Sequence, residues 1–129
     1  MIIMGNIGDG CRELRESETK LESSTRMAIR LTWYGHACFL IRTGDAGLLI
    51  DPFITGNPTA PVKAQEVRAD FILVSHGHGD HLGDTVDIAR RTGAAVISNF
   101  EIHNWLIGQG LEKVHPQHIG GGSITRGGG

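Results

Sequence analysis

The stretch Ser75-His76-Gly77-His78-Gly79-Asp80-His81-Leu82-Gly83 sets three imidazoles and a carboxylate within six positions. In an extended segment, residues two apart share a face, so His76, His78 and Asp80 can point the same way. His81 follows at the turn into a helix. Gly77, Gly79 and Gly83 remove side chains that would crowd the site and permit unusual backbone angles. Imidazole nitrogen and carboxylate oxygen suit zinc first, with manganese or iron also compatible. Four donors at this density can serve two adjacent metals, two ligands to each, and paired metals can polarise a scissile bond. By this chain's own His and Asp frequencies, the pattern H-x-H-x-D-H arises by chance about once in a thousand such chains. The competing readings are solvated loop histidines or a purely structural metal site.

Such a loop needs elements to hold it. Ile29–Tyr34 reads as a strand, broken by Gly35-His36, and Ala37–Arg42 as a second strand. Thr43–Gly47 is a hairpin turn, and Leu48–Ile50 a third strand ending in Asp51-Pro52. Pro52, Pro58 and Pro61 then mark a long loop. Phe71–Val74 is an all-apolar strand, the pattern of a strand covered on both faces, and the histidine loop hangs from its C-terminal end. Asp84 suits a helix N-cap and Gly93 a C-terminal stop. Ala95–Ile97 is a further strand. Asn99 caps a second helix that carries Ile102, Trp105 and Leu106 on one face, with Gly110 beyond its end. Strands alternating with helices place the chain in the α/β or α+β class.

Composition bounds the rest. The chain has 129 residues, with 12 Lys+Arg against 14 Asp+Glu and a formal net charge of −2, so it holds one domain at most. It has no basic excess and no basic patch with interleaved aromatics, which disfavours nucleic acid as a partner. No apolar run approaches the roughly 18 residues of a membrane span. Cys11 and Cys38 make no disulfide framework, and Cys38, in an apolar run, reads as a small buried hydrophobe. No basic segment followed by an apolar one opens the chain, so a cytoplasmic protein is expected. Residues 1–26 are polar and read as a disordered or non-native extension, with a partner-binding arm as the alternative. Residues 27–119 carry the structure. Residues 120–129, with six of the chain's 19 glycines, read as a flexible end.

The motif His76-x-His78-x-Asp80-His81 resembles the signature of the metallo-β-lactamase superfamily. Three further stretches extend the match: Leu31–Ile41 (LTWYGHACFLI), Leu49–Pro58 (LIDPFITGNP) and Asn99–Leu106 (NFEIHNWL). Together they resemble the UPF0173 family of metal-dependent hydrolases within that superfamily, over about residues 28–122. The resemblance implies an α+β fold, the αββα sandwich, with a binuclear metal site at one edge of its two sheets. It implies that His76 and His78 bind the first metal, and Asp80 and His81 the second. It places Asp51 behind the ligands, orienting the loop; the alternative for Asp51 is a strand-end Asx turn before Pro52. His36, in a Gly-His-Ala turn that the family shares, lines the site, supports a ligand or is a plain turn residue. No metal role is expected for His103, His115 or His118.

The superfamily's remaining ligands come from a second half that this chain does not contain. The expectation is therefore an N-terminal half-domain, one sheet with its flanking helices, from a truncated chain. A half-length protein that pairs with a copy of itself or with a separate C-terminal half is the alternative. A sheet left uncovered on one face exposes a large apolar patch. Two functions stay open. One is hydrolysis of a small-molecule ester, lactone, amide or phosphodiester by a metal-activated hydroxide that Asp80 helps to hold. The other is a non-catalytic metal-binding or interaction module.

Overall fold

The computed structural model describes residues 28–118 and 120–122. The proposed extension at residues 1–26, Cys11 and residues 123–129 of the glycine-rich end lie outside the described residues.

Six strands form one mixed sheet in chain order: β1 (Ile29–Trp33), β2 (Phe39–Thr43), β3 (Ala46–Ile50), β4 (Phe71–Leu73), β5 (Ala95–Ser98) and β6 (Val114–Pro116). β1, β2 and β3 run antiparallel, whereas β3 to β6 run parallel. β3 begins two residues earlier than its sequence suggests. Gly44, at φ 56°, lets the chain reverse over Gly44-Asp45 alone, so pairing continues out to Thr43 and Ala46. β6 gives no clear signal in the sequence: it is three residues long and contains Pro116. At a sheet edge, Pro116 loses no ladder bond, and its place there removes the conflict.

Three α-helices lie within the histidine-rich segment or after it: α1 (Gly79–Leu82), α2 (Thr85–Thr92) and α3 (Phe100–Gly108). α2 ends at Gly93, in the left-handed conformation at φ 73°. α3 starts at Asn99, whose Oδ1 accepts from the Ile102 N–H at 2.9 Å. The apolar stripe of α3 is narrower than its sequence suggests. Ile102 and Leu106, four apart, are buried, but Trp105 flanks them and stays 46% exposed. Among the described residues, no helix is long and apolar enough to cross a membrane.

The two faces of the sheet differ. The cross-strand row Thr32, Leu40, Leu49, Ile72, Val96 and Val114 faces the helices. Its central members join Ile88 and Ala89 of α2, Ile102 and Leu106 of α3, and Ile54, Ala64 and Val67 of the long loop in one core. The loop is fastened to α2 by Arg91, whose guanidinium donates to the carbonyls of Ala64 and Val67. The opposite face carries the row Leu31, Ile41, Leu48, Phe71 and Ala95. Beside it runs Trp33, Phe39, Ile50, Leu73, Ile97 and His115. No described element covers this face. Ile29, Leu31 and Trp33 are 73%, 63% and 60% exposed, and Phe71 and Leu73 are half-buried. The all-apolar β4 is thus covered on one face only, contrary to the expectation for both. The architecture is α+β, one sheet with helices on a single side.

Candidate metal centre

Strand direction gathers the site. β2 reverses β1, β3 reverses β2, and β4 runs alongside β3, so β1, β3 and β4 all end at the same edge of the sheet. His36 follows β1, Asp51 follows β3, and Ser75-His76 follows β4. Residues far apart in the chain therefore meet at one edge, at the C-terminal ends of parallel strands.

The motif segment is not extended throughout. β4 stops at Leu73, and His78 is the N-cap residue of α1. Asp80 and His81 sit in the first turns of a helix, so Asp80 does not continue a period-two face with His76 and His78. Gly83 closes α1 with φ 41° and packs against the backbone of Pro52 and Phe53. The Asp84 side chain makes no capping bond. Its Oδ2 accepts instead from the N–H groups of Ile54 (3.0 Å) and Thr55 (2.8 Å), and its N–H donates to the Pro52 carbonyl at 2.9 Å. The segment after β3 is thereby bolted to the segment after β4.

Asp51 is the hub of the polar network. It is 4% exposed and adopts φ 43°, a left-handed conformation uncommon outside glycine. The Phe53 N–H bonds the Asp51 carbonyl, not its side chain, so no Asx turn forms. The carboxylate faces the motif. Oδ1 accepts from the Ser75 N–H at 2.7 Å, and Oδ2 accepts from the Ser75 hydroxyl at 2.6 Å and from His81 Nδ1 at 2.8 Å. A carboxylate only accepts, so Nδ1 of His81 is the donor in this bond, and in the neutral ring that leaves the lone pair on Nε2. With its own proton given to Asp51, the Ser75 oxygen accepts from His76 Nδ1 at 2.9 Å. That fixes the His76 ring in the same tautomer. Ser75 has no role assigned from sequence; its one signal there is its position directly before His76.

The remaining donor atoms converge. His76 Nε2 lies 2.9 Å from His78 Nδ1. On the other side, His36 Nε2 lies 3.4 Å from Asp80 Oδ2. His36, Asp80 and His81 each place one donor atom within 4.8 Å of the others'. The rings form a continuous row: His78 to His76 at 4.6 Å, His76 to His81 at 4.0 Å and His81 to His36 at 4.9 Å between centroids. Phe53 closes the end of the row, edge-on to His36 at 5.9 Å. Histidine nitrogens gathered beside a carboxylate, with Nδ1 of His76 and of His81 held from behind by Ser75 and Asp51, match the donor chemistry of divalent zinc, manganese or iron. His103 sits apart on α3, stacked on Phe100, and His115 is exposed on β6.

Cys38 lies behind the site, fully buried in the core. Burial first, and then the carboxylates of Asp51 and Asp84, push its thiol up to about 12. It therefore stays protonated at neutral pH and serves as a packing residue.

Residues 30–126 match a family model described as a beta-lactamase superfamily domain. A UPF0173 metal-dependent hydrolase from Carboxydothermus hydrogenoformans is 56% identical over 93 residues, which cover 72% of this chain and 41% of the relative. The solved structure of Igni18, a metallo hydrolase from Ignicoccus hospitalis, superposes with a TM-score of 0.68 at 34% identity, covering 74% of this chain and 42% of the other. CmlA, a diiron beta-hydroxylase from Streptomyces venezuelae, is similar in fold alone: TM-score 0.56 and 24% identity, covering 72% of this chain and 21% of the other. The chain thus spans about two fifths of the length of the curated relatives it matches.

Proposed function

Because the chain belongs to the beta-lactamase superfamily domain family, we propose that its histidine row is the ligand-bearing part of a metal-dependent hydrolase centre. The observation that carries this reading is the convergence of His76 Nε2 and His78 Nδ1, 2.9 Å apart, with the His76 ring set from behind by Ser75 and Asp51. Two imidazole nitrogens bound to one tetrahedral ion at about 2.0–2.1 Å stand roughly 3.3 Å apart, so small ring rotations suffice to admit an ion. His76 and His78 hold the first divalent ion, and Asp80 and His81 contribute to the second. Zinc is the first choice for this nitrogen and oxygen set. When bound, the ions supply Lewis acidity and make water a nucleophile at neutral pH.

The protein's own residues do the positioning. Asp51 keeps His81 in the tautomer that presents Nε2, and through Ser75 does the same for His76. Asp80, half-exposed beside the row, accepts a hydrogen bond from the attacking water and orients it. The substrate class is a small ester, lactone, amide or phosphodiester, whose developing negative charge a cationic site stabilises.

A second reading is favoured by the openness of the site. The side chains of His36 and Asp80 are 41% and 51% exposed, and an uncovered site loses the water exclusion that strengthens electrostatic catalysis. On that reading, the chain binds metal without turnover. Elemental analysis after size-exclusion chromatography, followed by assay of the zinc-loaded protein on bis(p-nitrophenyl) phosphate and p-nitrophenyl acetate, separates the two. Near two metals per chain, with turnover abolished in His76→Ala, supports the hydrolase. Metal with no turnover supports the binding module. Absence of metal binding at saturating zinc overturns both.

A further inference from the structure

We infer that His36, from the turn between β1 and β2, is itself a metal ligand that completes a three-donor site with Asp80 and His81. This inference rests on the metal-centre reading above and assigns a ligand that lies outside the H-x-H-x-D-H segment. Three observations carry it.

The first is distance. Donors bound at about 2.0–2.2 Å with tetrahedral angles stand about 3.4 Å apart. His36 Nε2 and Asp80 Oδ2 are 3.4 Å apart, and His81 brings a donor atom within 4.8 Å of both. Among the described residues, these are the three whose donors gather in this way.

The second is backbone conformation. Two described non-glycine residues have positive φ, and they are His36 (51°) and Asp51 (43°). His36 is one of the three donors, and Asp51 holds His81, another of them, through Nδ1 at 2.8 Å. A non-glycine residue in the left-handed region is uncommon, and such outliers gather where geometry serves function.

The third is fastening. The Trp33 indole donates to the His36 carbonyl at 2.9 Å. On either side of His36, Tyr34 N–H bonds the Cys38 carbonyl and Cys38 N–H bonds the Gly35 carbonyl, at 2.9 and 3.0 Å. The ring is steadied edge-on by Phe53 and by His81. An ordinary exposed His–Asp pair gains little and needs no such framework.

The test is zinc titration of the full 129-residue chain labelled with ¹⁵N-histidine, read by the ring nitrogen signals. Zinc is expected to move the His36 Nε2 signal to the position of a bound imidazole nitrogen, in step with the signals of His81. His36→Asn, which keeps a residue tolerant of positive φ, is expected to weaken the second zinc by about ten-fold or more while the first, at His76 and His78, still binds. The inference is overturned if the His76 and His78 signals shift while His36 stays unmoved, or if His36→Asn binds two zinc ions as tightly as the parent. If none of the histidine rings responds to zinc, the metal-centre reading fails and this ligand assignment fails with it. The ring signals of the unsubstituted chain decide the matter even if the variant does not fold.

Discussion

At the scale of single residues, the site depends on one carboxylate more than on any histidine. Asp51 satisfies Ser75 twice and His81 once from a buried position. Replacing it with Asn keeps an acceptor and tolerates the left-handed backbone, but it puts an NH₂ group where protons already point. Asp51→Asn is therefore expected to cost about 1–3 kcal/mol in urea unfolding and to lower zinc affinity about 10- to 100-fold, measured by competition with a chelating dye. Asp51→Ala is expected to cost a further 1–3 kcal/mol, roughly, in urea unfolding, because the Ser75 N–H loses its partner. Equal zinc affinity in Asp51→Asn and the parent would remove the orienting role. The donor cluster was legible in the sequence because His-Gly-His-Gly-Asp-His is dense and local. The contribution of Ser75 was not, since a serine beside a histidine signals nothing until Asp51 arrives from 24 residues away.

At the scale of elements, the site is held by the contact between two post-strand segments. Gly83 is where they touch. A Cβ there would lie 2.5 Å from the Pro52 carbonyl oxygen and 2.7 Å from the Phe53 Cα. Both are backbone atoms, which cannot swing aside. Gly83→Ala, strained in addition by φ 41°, is expected to cost about 1–3 kcal/mol in urea unfolding. A change within about 0.5 kcal/mol would show that this contact bears no strain. Sequence patterning located five of the six strands and both longer helices, because alternation and caps are local signals. It missed α1, which has four residues and no apolar periodicity. It placed Asp84 at a helix start but not its side chain, which pairs with loop N–H groups 29 and 30 residues back. It grouped Trp105 with the buried stripe because helical spacing does not reveal how wide the contact with the sheet is.

At the scale of the whole molecule, one apolar face of the sheet lies open among the described residues. Exposed apolar area of this continuity binds hydrophobic probes. The described chain is expected to enhance the fluorescence of an anilinonaphthalene dye while fully folded. Leu31→Lys, on edge strand β1, is expected to reduce that signal and shift the unfolding free energy by less than about 0.5 kcal/mol. An unchanged signal would mean that the face is covered in solution. That β4 is apolar throughout does not reveal that one of its faces lies open; the rows of that face became visible only with the strand register. The strand order has a separate consequence, for how the chain assembles. Each strand pairs with its predecessor in the chain, from β1 through β6. No later strand must wedge between two that are already zipped, so the sheet can grow from a single advancing border as the polypeptide leaves the ribosome, keeping loop-closure costs short at every step.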